Sequence, residues 1–270
     1  MDYFAINKKL WDDKTEIHFR SEFYDVNSFI NGKNSLKEIE LGLLGDITGK
    51  TILHLQCHFG MDTISLARKG AKVTGVDFSG KAIEKARELN KIAGTDVEFI
   101  ESNIYELEEK LEKQFDIVFT SYGVLGWLPD IGRWSVIVDK FLKPSGRFIM
   151  VEFHPVLWIF SDDFKEIIYD YADSGPIIEE FTGTYADRNA PLKSKSVGWN
   201  HNLSEVLGSL LKRGFIIRDF AEYDFSPFDC FNNTVETGKD KYRIKGLEKK
   251  IPMLYSVAAE KRGKNPADAS

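Results

Sequence analysis

Between residues 50 and 152, short apolar runs and amphipathic stretches take turns along the chain. Thr51-Ile52-Leu53-His54-Leu55 is a compact apolar run, the mark of a buried strand. A turn follows at Gly60, and residues 62–68 then predict a helix that stops near Gly70. Residues 71–77 predict a second strand. Ser79 is placed to cap a helix over residues 81–93, which closes at Gly94. Residues 97–100, 115–120 and 147–152 predict three more strands. A helix over 134–141 and a Lys143-Pro144-Ser145-Gly146 turn precede the last of them. Strands alternating with helices imply βαβ units, a mostly parallel sheet and helices on both faces. Ligands of such sheets sit beyond the carboxyl ends of the strands, near the point where strand order reverses. The loops after Leu55, Val76, Ile100 and Phe119 are therefore expected around one site.

The flanks read differently. Residues 1–45 carry aromatic residues at uneven spacing, among them Tyr3, Trp11, Phe19, Tyr24 and Phe29. They predict helices, packed on a domain edge or serving as a lid over a pocket. Residues 155–200 give no strong βα signal but hold Trp158, Tyr169, Phe181, Tyr185 and Trp199. An insertion of that length has structure or function of its own. Helix resumes over 203–213, a strand is expected over 215–220, residues 224–250 read as irregular, and 251–259 read as a last strand with Pro252 near its start.

Composition narrows the class. The 270 residues carry a formal charge of −6 and are 43% hydrophobic, which suits one large α/β domain with a modest cap. The acidic balance disfavours nucleic acid as a partner. No apolar stretch approaches the roughly 20 residues of a membrane span, and no basic segment followed by an apolar run opens the chain. Cys57 and Cys230 lie far apart and form neither a disulfide framework nor a metal-type pair, so the reducing cytoplasm is the expected home.

The chemistry concentrates after the first strand. A helix start offers free N–H groups and the positive end of a dipole, and Gly60 permits close backbone approach. Asp77, at the end of the second strand, can accept two hydrogen bonds from a ribose diol, or else serve as a loop acid near the next helix cap. That spacing also fits a nicotinamide-dependent oxidoreductase, although the Gly-x-Gly-x-x-Gly that such a site needs is missing between Leu55 and Asp62.

The series Thr51-Ile-Leu-His-Leu-Gln-Cys-His-Phe-Gly60, Val73-Thr-Gly-Val-Asp-Phe-Ser79, Phe115-Asp-Ile-Val-Phe-Thr120 and Leu142-Lys-Pro-Ser-Gly-Arg-Phe148 resembles class I S-adenosylmethionine-dependent methyltransferases. The resemblance implies a seven-stranded Rossmann-like sheet whose last strand is antiparallel and inserted. It implies S-adenosylmethionine as cofactor, with S-adenosylhomocysteine as product, and a small-molecule methyl acceptor. It divides the chain into a helical lid (1–45), a cofactor-binding half (46–154), a cap insertion (155–200), the rest of the core (201–261) and a flexible tail (262–270). The first loop departs from the family's Asp-x-Gly-x-Gly-x-Gly. His54 stands at the acid, Gln56 and His58 at the first two glycines, and only Gly60 is retained. Either Gln56 and His58 bind the amino acid end of the cofactor, or they block it and leave a non-catalytic binding protein on the same fold. By the same resemblance Asp77 and Phe78 flank the ribose, Asn103 and Ile104 meet the adenine, and Ser121 lies beside the methionine moiety with Trp127 in the same loop. His154, just past the fifth strand, is the best candidate for a general base, or else a structural loop histidine; Glu152, His201 and His18 are other candidates for a role. His54 and His58 straddle a strand and a loop, so no metal site is expected from them.

Overall fold

The computed structural model describes residues 2–263. Three helices lead in: α1 (Tyr3–Arg20), α2 (Val26–Ile30) and α3 (Glu38–Leu44). The core then runs β1 (Thr51–Leu55), α4 (Met61–Arg68), β2 (Lys72–Asp77), α5 (Gly80–Ala93), β3 (Glu98–Glu101), β4 (Phe115–Ser121), α6 (Ile131–Phe141) and β5 (Leu142–Phe153). A hairpin of β6 (Ile177–Thr182) and β7 (Lys193–Gly198) follows, then α7 (Leu203–Lys212) and β8 (Ile216–Tyr223). A second hairpin, β9 (Thr234–Gly238) with β10 (Lys241–Ile244), precedes the final strand β11 (Leu254–Glu260).

Local chemistry sets the helix ends. Ser79 accepts a hydrogen bond from Ala82 N at 3.1 Å and starts α5, which Gly94 ends in the left-handed conformation. Asp130 accepts from Arg133 N at 2.8 Å, so α6 begins earlier than the apolar pattern indicates. Asn202 does the same for α7 through Glu205 N at 2.9 Å.

The seven-stranded sheet has the order β3-β2-β1-β4-β5-β11-β8. β11 pairs antiparallel with both β5 and β8, and the other core pairings are parallel. This is the Rossmann-like topology expected, with the last strand inserted. Strand order reverses between β1 and β4, which opens a crevice at their carboxyl ends. Trp134, Val138, Leu210 and Phe215 pack on one face of the sheet; Phe29, Ile64, Ile83 and Leu89 pack on the other.

Three expectations change. Residues 155–200 and 224–250 each hold an antiparallel hairpin where no strand was expected. Most positions in these four strands are exposed or half-exposed, so no buried face imposes a period-2 signal. Residues 143–146 lie inside β5 as a bulge: Phe115 pairs with Leu142, whereas Ile117 pairs with Arg147. The last strand begins at Leu254, beyond Pro252, whose ring nitrogen has no proton to give a ladder. The tail expected over 262–270 lies, from residue 264 onward, outside the described residues.

Candidate active site

The loop that leaves β1 keeps a glycine-type backbone without the glycines. Gln56 has φ 55°, His58 φ 50° and Gly60 φ 78°. A non-glycine residue in this region costs about 1 kcal/mol. Local contacts offset it. Gln56 Nε2 donates to the Val124 carbonyl at 2.9 Å, and His58 N donates to Asp77 Oδ2 at 2.8 Å. The His58 ring packs against Trp11, Tyr24 and Phe59, and its Nε2 lies 3.1 Å from His18 Nδ1. Gly60 is required from below rather than above: a Cβ there would stand 2.6 Å from the Phe99 ring.

Gln56, His58, Gly60, Asp77, Phe78 and Ser121 line one cavity of about 1080 Å³ at the switch point of the sheet. Its roof brings together Trp11 and Tyr24 of the lead-in with Phe181, Tyr185 and Trp199 of the insertion. Asn103 lies elsewhere. It lines a second recess of about 290 Å³ with Phe78, which borders both spaces. Its side chain accepts from Tyr105 N at 3.1 Å and so caps a short 3-10 turn. Ile104 is buried in the core beneath.

Asp77 is buried, and its second oxygen accepts from Ser79 N at 2.9 Å. Burial pushes its carboxyl up to about 6, against the pull of these backbone N–H groups. Glu152 sits under the loop after β4 and accepts from Val124 N at 2.8 Å, Leu125 N at 3.0 Å and also Gly123 N. It shapes that loop.

His154 does not line the cavity. Its Nδ1 accepts from Val156 N at 3.1 Å, and its Nε2 lies 2.8 Å from Glu222 Oε1 on β8. His201 lines the cavity, but its Nε2 and Nδ1 are engaged by the Leu128 carbonyl at 2.7 Å and Glu205 at 3.0 Å. His18 is fully buried in the roof, and burial, with His58 next, pushes its ring down to about 2. Trp127 donates through Nε1 to the Gly123 carbonyl at 2.8 Å and turns its ring to the cavity.

Two cavity residues, Asp62 and Lys14, escaped the sequence reading. Asp62, in the first turn of α4, accepts from Ser35 Oγ at 2.6 Å and Ser121 Oγ at 3.3 Å, and burial raises its carboxyl. An acid at a helix start reads as an ordinary partner of the dipole, so its sequence position is silent. Trp11 and Lys14 left a signal: 11, 14, 15 and 18 share one helical face, and that face is turned inward. Among the described residues six buried polar atoms have no hydrogen-bond partner, and three of them, Trp11 Nε1, His54 Nε2 and Gln56 Oε1, belong to cavity-lining residues. Among the described residues no cluster of His, Cys, Asp and Glu could hold a metal ion, and no helix is long and apolar enough to cross a membrane.

A methyltransferase-domain family model matches residues 52–146. The ubiquinone biosynthesis O-methyltransferase of Klebsiella pneumoniae is 27% identical over 131 residues, 47% of this chain and 54% of that protein. An uncharacterized methyltransferase of Synechocystis is 34% identical over 137 residues, 48% of this chain and 60% of that protein. The chain thus spans about half the length of the curated relatives it matches. Among solved structures, an S-adenosylmethionine dependent methyltransferase from Mesorhizobium loti superposes with a TM-score of 0.55 at 18% identity, covering 86% of this chain and 100% of that one. The Burkholderia thailandensis 1,6-didemethyltoxoflavin-N1-methyltransferase, with 1,6-didemethyltoxoflavin and S-adenosylhomocysteine bound, gives 0.54 at 16% identity, covering 97% and 89%. Residues 52–146 therefore match a methyltransferase domain, and the seven-stranded fold that holds them is shared with S-adenosylmethionine-dependent methyltransferases of known structure.

Proposed function

We propose that the chain is an S-adenosylmethionine-dependent methyltransferase of a small-molecule acceptor. The observation that carries this reading is the cavity at the switch point, into which Asp77, Asp62 and the unpartnered Gln56 Oε1 converge. These groups fit the cofactor. Each Asp77 oxygen accepts one backbone N–H and keeps a lone pair for a ribose hydroxyl. Gln56 Oε1 and the Asp62 carboxylate suit an ammonium, in place of the acid that His54 has replaced. Phe78, with Asn103 on the recess side and Ile104 in the core beneath, suits the adenine, and Ser121 suits the methionine end.

When bound, S-adenosylmethionine supplies a methyl group already activated on a sulfonium. The protein orients the acceptor and keeps water out, which is the task of the aromatic roof. We assign no proton transfer to His154, because its ring faces Val156 and Glu222. The acceptor is then a nucleophile that is deprotonated near neutral pH or needs no base. A small acceptor is supported by the enclosed apolar roof, by relatives named for ubiquinone biosynthesis O-methylation, and by a structural neighbour holding 1,6-didemethyltoxoflavin. Net acidity disfavours nucleic acid, and the free thiols of Cys57 and Cys230 suit the reducing cytoplasm.

Calorimetry with S-adenosylhomocysteine and with NADH tests the reading. We expect binding of the first alone, weakened about tenfold or more in Asp77→Ala, the cost of a charge-assisted pair of bonds. Binding of neither ligand by the wild-type chain would leave a non-catalytic module; binding of NADH would favour an oxidoreductase.

A further inference from the structure

Lys14 is 5% exposed and lines the cavity from α1. Its ammonium lies 4.8 Å from the Phe181 ring centroid, 5.1 Å from Trp11, 5.8 Å from Trp127 and 5.9 Å from Tyr185. Among the described residues no carboxylate comes within 4.0 Å of it. A buried ammonium without a counterion is costly, and four ring faces compensate it only in part. One turn earlier on the same helix, the Trp11 indole N–H is buried and without an acceptor. Trp11 and Lys14, one with an unpaired neutral donor and the other with an unpaired cation, thus line one aromatic-walled cavity.

We propose that Lys14 and Trp11 form a carboxylate anchor in the roof of the cavity. A carboxylate offers two oxygens and one charge, which the indole N–H and the ammonium match. A dianionic phosphate finds too few partners here, since among the described residues no second cation joins Lys14 in its ring of aromatics. The rings hold the ammonium while the anchor is empty, and the carboxylate replaces a weak π contact with an ion pair of low dielectric surroundings. The carboxylate has two possible sources. One is the methionine end of the donor, on the side of His18 and His58, whose imidazoles feel the Lys14 charge. The other is the acceptor, on the side of Phe181 and Tyr185 in the β6–β7 insertion. Both assignments of the source rest on the function proposed above, whereas the anchor itself does not.

The probes are S-adenosylhomocysteine, 5′-methylthioadenosine (which lacks the amino acid end) and benzoate against benzamide. Binding is followed by calorimetry and by the fluorescence of the neighbouring tryptophans, in wild type, Lys14→Met, Lys14→Arg and Trp11→Phe. If the donor supplies the carboxylate, Lys14→Met weakens S-adenosylhomocysteine tenfold or more and leaves 5′-methylthioadenosine unchanged. If the acceptor supplies it, both nucleosides bind Lys14→Met normally, and benzoate, which the wild type binds over benzamide, is lost. Lys14→Arg keeps the affected ligand within a few-fold, and Trp11→Phe weakens it while retaining the ring. Should Lys14→Met not fold, Trp11→Phe carries the test by itself, and unchanged ligand affinities in it refute the anchor. Unchanged affinities for S-adenosylhomocysteine and benzoate in a folded Lys14→Met refute it as well, as does a wild type that binds neither. A wild type that binds benzoate but no nucleoside keeps the anchor and removes the methyltransferase reading.

Discussion

At single positions, burial decides what the ionisable groups do. Glu40 on α3 is fully buried, accepting from Tyr122 Oη at 2.7 Å and from Lys37 N at 3.2 Å. Burial, reinforced by the Asp62 charge, pushes its carboxyl up to about 7. A carboxyl raised above its unfolded value holds its proton longer in the folded chain. Its stabilising contribution is therefore full below pH 4.5 and is lost as pH rises through about 7. Glu40→Gln removes this dependence. Relative to wild type it should gain about 2 kcal/mol between pH 5 and pH 7.5 in urea unfolding. A difference between the two proteins that does not change with pH would contradict the assignment. His58 is the other residue of note at this scale. His58→Gly relieves the left-handed backbone but removes a ring packed among Trp11, Tyr24 and Phe59. Lost packing outweighs relieved strain, so we expect a net loss of about 1–3 kcal/mol by chemical denaturation; a more stable variant would reverse that ranking.

Among elements, one side chain joins the lead-in to the insertion. Asn7 of α1 donates through Nδ2 to the Val197 carbonyl at 2.7 Å and accepts from Val197 N at 3.0 Å, copying the pairing of an adjacent strand on β7. Both groups are buried, so Asn7→Ala leaves the Val197 N–H and carbonyl unsatisfied. We expect a loss of about 2–3 kcal/mol and faster hydrogen exchange confined to α1 and β7. Exchange that rises evenly over the whole sheet would show that the contact does not couple these two elements in particular. The same elements show where pattern reading stops. The alternating segments from β1 to β5 were legible because the central strands β1, β2 and β4 are buried on two faces and α5 buries one. The hairpins β6–β7 and β9–β10 were not, because backbone pairing rather than an apolar face holds their register.

Across the whole molecule, buried histidines and buried acids pull stability in opposite directions with pH. Desolvation pushes His54 and His58 down to about 3 and His18 to about 2. Their neutral forms contribute stability above pH 6.5 that is lost progressively as pH falls below it. Glu40 and Asp77, raised to about 7 and about 6, act in the other sense. The three imidazoles therefore subtract stability between pH 6.5 and pH 5 in guanidinium unfolding, against these two acids and the raised carboxyls of Asp62 and Glu152. His54→Asn should reduce that loss by roughly 1 kcal/mol per pH unit. The same pH dependence in wild type and His54→Asn would contradict the assignment.

The sequence by itself determined the parallel core and the place of the crevice, because strand and helix periodicities are local and their right-handed connection leaves one topology. It also named the part of the crevice lining at the strand ends, since Gln56, His58, Gly60, Asp77, Phe78 and Ser121 lie at or just past them. Only the tertiary structure decided where the side chains of the loops turn: His154 away from the cavity, Asn103 into a separate recess, and Asp62 into the crevice. Lys14 and the rings of Trp127, Phe181 and Tyr185 meet from three distant segments. No local pattern records such a meeting, because it is fixed by how the lead-in helix and the insertion pack over the sheet.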